Sequence, residues 1–121
     1  MDCIFCKIIN GGIPAYTIYE DDIVKVFLDI HPHANGHMLI IPKKHQVDIF
    51  DVDVDTLNYI YKEIAPKMYK LLQKKLKADG LIIGQNNGTV EEVKHYHVHL
   101  IPKYKHEGKL SDVKEVYDKL K

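Results

Sequence analysis

Three histidines fall at alternate positions in the run KHYHVHLIP, at His95, His97 and His99, within a segment that is otherwise mostly apolar or aromatic. Residues two apart on an extended strand share a face, so the three imidazoles project together while Tyr96, Val98 and Leu100 point the other way. Six ring nitrogens on one face all need partners, because unsatisfied buried polar groups are costly. Two chemistries suit them. Imidazole ligates metals, but same-face residues stand about 6.6 Å apart and zinc bonds to nitrogen are only about 2.1 Å. Two neighbours can share one ion; all three would have to lean severely. The other chemistry is nucleophilic, with a neutral imidazole attacking phosphorus while its neighbours bind phosphate oxygens and place protons. Flanked on both sides, His97 is the natural attacker.

The only cysteines, Cys3 and Cys6, form a second candidate group. A redox pair would follow a strand in a βαβ pattern, which this pair does not. Two small thiols packing a short helix is the other reading of the residues alone.

The elements that must carry these residues are legible from period and punctuation. CIFCKII reads as a brief helix ended by Gly11, Gly12 and Pro14. TIYE and IVKVFLD read as a hairpin with Val24, Val26 and Leu28 on one face, and HMLIIP follows the Asn35-Gly36 turn as a third strand. From about Val54 to Lys77, apolar residues keep helical phase across Pro66, which predicts one long, bent helix ended near Gly80. LIIGQ and KHYHVHLIP read as two further strands, and the tail as a helix capped by Ser111. The expected fold is α+β: an antiparallel five-stranded sheet with one long helix and short N- and C-terminal helices, in a single domain over residues 1–121.

Composition narrows the partners. All 17 basic residues are lysine, they are balanced by 17 acids, and there is no arginine for a bidentate phosphate clamp. No charge imbalance points to nucleic acid. The longest apolar runs are about four residues, far short of the roughly 20 that a membrane helix needs, and the first ten residues do not read as a secretory signal. The chain is expected in the cytoplasm with reduced thiols.

HYHVHLI resembles the alternating signature of the histidine triad (HIT) family, and so do CIFCKIINGGIPA, VFLDIHPHANGHMLIIPKKH and GQNNG. The resemblance spans residues 1 to about 104. It implies an enzyme that attacks the α-phosphate of nucleoside phosphoramidates, dinucleoside polyphosphates or related conjugates, with His97 as nucleophile and release of a nucleoside monophosphate. His99 would bind the phosphate, and His37 would stand near it. Asp29 would hold the ribose hydroxyls, Ile30 and Phe27 or Leu28 would contact the base or sugar, and Asn86 the phosphate. Family members with this cysteine pair bind structural Zn2+, here through Cys3, Cys6, His45 and His95. The family habit further implies a homodimer and a purine nucleotide or nucleotide conjugate as ligand. One departure stands out: where relatives carry Gln-Ser before the triad this chain has Glu91 and Glu92, the second at a place that contacts the nucleotide. Two acids beside an anionic substrate motivate an alternative, a nucleotide-binding regulator of the same fold with little activity.

Overall fold

The structure, a computed structural model, describes residues 3–91, 93–106 and 108–121. Five strands, β1 (Thr17–Glu20), β2 (Val24–Leu28), β3 (Met38–Pro42), β4 (Gly80–Gly84) and β5 (Val98–Lys103), form one antiparallel sheet in the order β1-β2-β3-β5-β4. The β1–β2 turn is drawn tight by Asp21, whose Oδ1 accepts from the N–H groups of Ile23 and Val24 at 2.8 and 2.9 Å. The helices are α1 (Ile4–Ile9), the long helix between β3 and β4, and the C-terminal α4 (Val113–Leu120).

The long helix is continuous, as its apolar phase predicts, and Pro66 leaves a mark on it. Its first part, α2 (Val54–Asn58), is capped by Asp53, which accepts from Thr56 N–H at 2.7 Å. A π-helical turn, Tyr59–Ile64, follows, then α3 (Ala65–Leu76). Ala65 N–H reaches back to Ile60 C=O, five residues rather than four. The wider turn falls where proline cannot donate, so the missing N–H is absorbed without ending the helix. The helix stops at Lys77 (φ 60°), whose N–H bonds Leu72 C=O, and not at Gly80, which opens β4. At the tail, Asp112 rather than Ser111 is the capping position; Ser111 instead donates its N–H to Asn35 Oδ1.

Period-two alternation sorts the sheet into two faces. Val24, Val26, Leu28, Met38, Ile40, Val98 and Leu100 pack against the long helix and α4 in the main core. Phe27, Leu39 and Ile41 face the other way, against Cys3, Phe5 and Ile8 of the α1 segment. Tyr96 belongs to the helix-side core, so the alternation expected for residues 95–100 holds. The ladder itself begins only at Val98, later than the sequence suggests. Upstream, the chain is held by Tyr96 N–H to Gln46 C=O, a single bond to the β3–α2 connection. Register then aligns Phe27, Leu39, His99 and Gly84 in one row across β2, β3, β5 and β4.

Gly36 lets the β2–β3 connection turn. Its φ is +91°, and a Cβ there would stand 2.6 Å from Leu72 and 2.8 Å from Leu76 side-chain atoms. Among the described residues, no helix is long and apolar enough to cross a membrane.

Candidate active site

The four residues Cys3, Cys6, His45 and His95 converge from three parts of the chain, their ligand atoms all within 4.8 Å of one another. Cys3 sits at the N-cap of α1 and Cys6 one turn on; His45 follows β3, and His95 precedes β5. Cys3 Sγ lies 3.3 Å and Cys6 Sγ 3.6 Å from His95 Nδ1, Cys6 Sγ lies 3.2 Å from His45 Nδ1, and the two Nδ1 atoms are 3.2 Å apart. A tetrahedral Zn2+ with ordinary bond lengths requires ligand separations of about 3.3 Å for N to N and about 3.6 Å for S to N. The cluster is therefore compatible with zinc. His95 donates Nε2–H to Pro42 C=O at 2.8 Å, which leaves its Nδ1 lone pair facing the thiols. Burial holds its imidazole below the ordinary range, consistent with a neutral ligand.

The other two triad rings have their tautomers set in the same manner. His97 donates Nδ1–H to the carbonyl of His95 at 2.7 Å, so Nε2 is the nitrogen with a free lone pair. His37 accepts the N–H of His33 on Nδ1 at 3.0 Å, so its proton is on Nε2, which meets His99 Nδ1 at 2.9 Å. The proton of His99 is thereby directed to its own Nε2. One imidazole presents a lone pair and its neighbour an N–H, the pairing that attack on phosphorus needs. Burial pushes His37 down to about 4, against the opposing pull of Asp29, and burial lowers His99 as well. Both rings are thus neutral near pH 7.

A cleft of about 590 Å³ opens over these rings, lined by His97, His99, Asp29, Ile30, Asn86 and Glu91 among others. Phe27 forms part of its floor, whereas Leu28 also packs into the helix-side core. Asp29 directly follows β2, anchored by its N–H to His37 C=O at 2.9 Å and by Oδ1 accepting from His31 N–H at 2.8 Å. His37 does not line the cleft; it stands behind His99, 1% exposed. Asn86 and Asn87 divide their tasks. Asn86 faces the cleft, while Asn87 Oδ1 accepts from Ile49 N–H at 2.9 Å and the same side chain pairs with Gln85. Glu92 lies outside the described residues.

Two contributions escape a reading of the sequence for chemistry. The first is the wall made by Phe5, Ile8 and Ile13. The Phe5 ring meets His97 edge-on at 5.0 Å, His95 at 5.9 Å and Phe27 at 5.6 Å. Its position between the two cysteines and the i, i+3 spacing to Ile8 are the signals in the sequence. The second is the direction of Glu91, a residue the sequence singles out by its charge alone: its Oε2 lies 3.3 Å from His97 Nε2.

An open antiparallel sheet with an alternating histidine run leading into β5 and a nucleotide-sized cleft beside it defines a HIT-type domain. The sequence profile of the HIT domain matches residues 10–106, and the chain belongs to the HIT family. It is 46% identical to an uncharacterised HIT-like protein of Methanocaldococcus jannaschii over 119 residues, 94% of this chain and 91% of that one. It is 44% identical to the adenosine 5'-monophosphoramidase HNT1 of Saccharomyces cerevisiae over 103 residues, 84% of this chain and 62% of the yeast protein. Among solved structures, a zinc-bound histidine triad family protein from Mycobacterium smegmatis superposes with a TM-score of 0.89 at 35% identity, covering 99% of this chain and 91% of that one.

Proposed function

We propose that the protein hydrolyses nucleoside phosphoramidates, dinucleoside polyphosphates or related purine nucleotide conjugates in two displacements at the α-phosphate. In the first, the Nε2 lone pair of His97 forms a bond to phosphorus while the bond to the leaving group breaks and its electron pair departs with that group. In the second, water attacks phosphorus, the P–Nε2 pair returns to the imidazole, and the nucleoside monophosphate leaves. Dividing one difficult displacement into two is what a nucleophile with a good departing form achieves. His99 Nε2–H stabilises charge on the phosphate oxygens, and His37 holds His99 in that tautomer. Asp29 accepts from the ribose hydroxyls; Ile30, Phe27 and Asn86 bound the nucleoside and phosphate. The observation that carries this reading is the His97 Nδ1–H bond to His95 C=O, which frees Nε2 toward the cleft.

Cys3, Cys6, His45 and His95 would hold Zn2+ as a structural ion, since four protein ligands leave no open position for substrate. The ion's role is to tie α1 to the segments carrying His45 and His95. A homodimer in the cytoplasm fits the edge strand β4, whose Ile82 and Ile83 are 47% and 43% exposed.

The contact between Glu91 and His97 favours a second reading, a nucleotide-binding regulator whose nucleophile is kept occupied. Incubation with adenosine 5'-phosphoramidate separates the two. The hydrolase releases AMP, carries a nucleotidyl adduct on His97 detectable by mass spectrometry, and loses turnover in His97→Ala with zinc content unchanged. Undiminished turnover in that variant sinks the first reading; binding without turnover in the wild type selects the second.

A further inference from the structure

The cleft beside the three histidines has no lysine among its described lining residues, and of these Asp29 and Glu91 carry carboxylates into it. Glu91 is the one beside the reacting atoms. Its N–H bonds Gly88 C=O at 3.1 Å and its Oε1 accepts from Val93 N–H at 3.1 Å, which fixes the side chain from two directions. Its Oε2 is left 3.3 Å from His97 Nε2. The nearby Lys94 ammonium is turned away, to Gly88 C=O at 2.6 Å. A phosphorus seated on His97 Nε2 takes the place of the contact with Glu91 and has the Glu91 carboxylate at the rim of the reaction centre.

Building on the hydrolase reading, we propose that Glu91 is a specificity-determining residue that commits the site to conjugates in which a basic nitrogen is bonded to the α-phosphorus, and against those joined through P–O–P. The chemistry differs at one atom. The nitrogen on the α-phosphorus of a phosphoramidate takes a proton from solvent and becomes cationic; when Nε2 attacks, the P–N pair passes to that nitrogen and neutral ammonia or an amine departs. An adjacent carboxylate stabilises the cationic nitrogen through charge and a hydrogen bond. A bridging oxygen of a polyphosphate carries no hydrogen, departs as part of an anion, and brings further phosphate charges that the same carboxylate repels. Asp29 adds to that repulsion from the ribose side, and His37 and His99, held neutral by burial, do not offset it.

The test is the ratio of kcat/KM for adenosine 5'-phosphoramidate to that for diadenosine tetraphosphate, in the wild type and in Glu91→Gln. The amide keeps the size of the side chain and an oxygen for Val93 N–H, so the fold is retained. The wild type is expected to favour the phosphoramidate, and the substitution to shrink the ratio by about tenfold or more, the scale of removing one charge beside the leaving group. A wild-type preference for the polyphosphate overturns the proposal. So does a ratio that stays within about twofold, including an equal loss on both substrates, which would assign Glu91 to the nucleophile instead. Absence of turnover on either substrate by the wild type is a different failure: it removes the hydrolase reading, and the selection with it.

Discussion

His97 donates to the main-chain carbonyl of His95, 2.7 Å away, while the ring of that same His95 is enclosed by Cys3, Cys6 and His45. The candidate nucleophile is thus oriented by the backbone of a residue whose side chain belongs to the candidate metal cluster. Replacing Cys6 by serine is expected to lower bound zinc below one per chain and to lower the melting temperature, because metal affinity is part of the folding free energy. Turnover should fall with it, as α1 and the His95 carbonyl lose their anchor. Zinc analysis with thermal denaturation checks this; full zinc content and an unchanged melting temperature would contradict it.

A chain of two hydrogen bonds, His33 N–H to His37 and His37 to His99, supplies the next prediction. His37→Ala strands the His33 N–H and frees His99 to adopt either tautomer. A loss of about ten- to a hundredfold in kcat is expected, the usual scale for a displaced proton donor. Nucleotide affinity should change much less, because His37 does not line the cleft. A change in KM with kcat intact would place the residue in binding rather than in positioning.

The same histidine makes stability depend on pH. In the folded chain burial holds His37 at about 4, with Asp29 opposing and His99 and His33 adding to the depression. An unfolded imidazole titrates near 6.5. Between these values the unfolded state binds more protons, so stability rises with pH across the window. The contribution is complete above about pH 6.5 and is lost as pH falls toward 4. Denaturant titrations at pH 7 and pH 5 should show a larger loss for the wild type than for His37→Gln. Metal-ligand protonation is common to both proteins and cancels in the comparison; equal losses would be the contrary result.

The alternation of His95, His97 and His99 against Tyr96, Val98 and Leu100 is legible because side-chain direction in an extended chain depends only on parity. Where the strand ladder starts is not: β3 runs on to Pro42, yet its pairing with β5 stops at Ile40 and Val98, because Tyr96 N–H is drawn to Gln46 C=O instead. Pro66 announces a disturbance, but whether a helix breaks or widens by one residue is decided by the packing of Ile60, Ile64 and Met68 in the core. The helix ends at Lys77, three residues before Gly80, because the last turn must close on Leu72 before the chain can pair Gly80 with Lys103. The charge of Glu91 is plain in the sequence, whereas its direction follows from two backbone bonds that no local pattern encodes.

Gly36 is required twice over, by its φ of +91° and by the side chains of Leu72 and Leu76 that a methyl group would strike. Gly36→Ala should destabilise the fold by about 2 kcal/mol, combining left-handed strain with overpacking. Equilibrium unfolding measures it, and a loss below about 0.5 kcal/mol would mean that the leucines yield freely.

Phe5 joins the Cys3, Cys6, His45 and His95 cluster to the cleft. It is carried on α1 between the two cysteines, and its ring packs edge-on against His95, His97 and Phe27. Removing it leaves a gap against His97 and takes away part of the apolar wall of the cleft. Phe5→Ala should therefore cost about 3 kcal/mol of stability and raise KM, while Phe5→Leu, which refills most of the volume, should recover most of both. The pattern across the two variants is diagnostic. If Phe5 serves only the fold, stability and KM need not recover together, and a leucine variant with restored stability but a KM still like that of alanine would show that an aromatic face, not volume, is what the nucleoside requires.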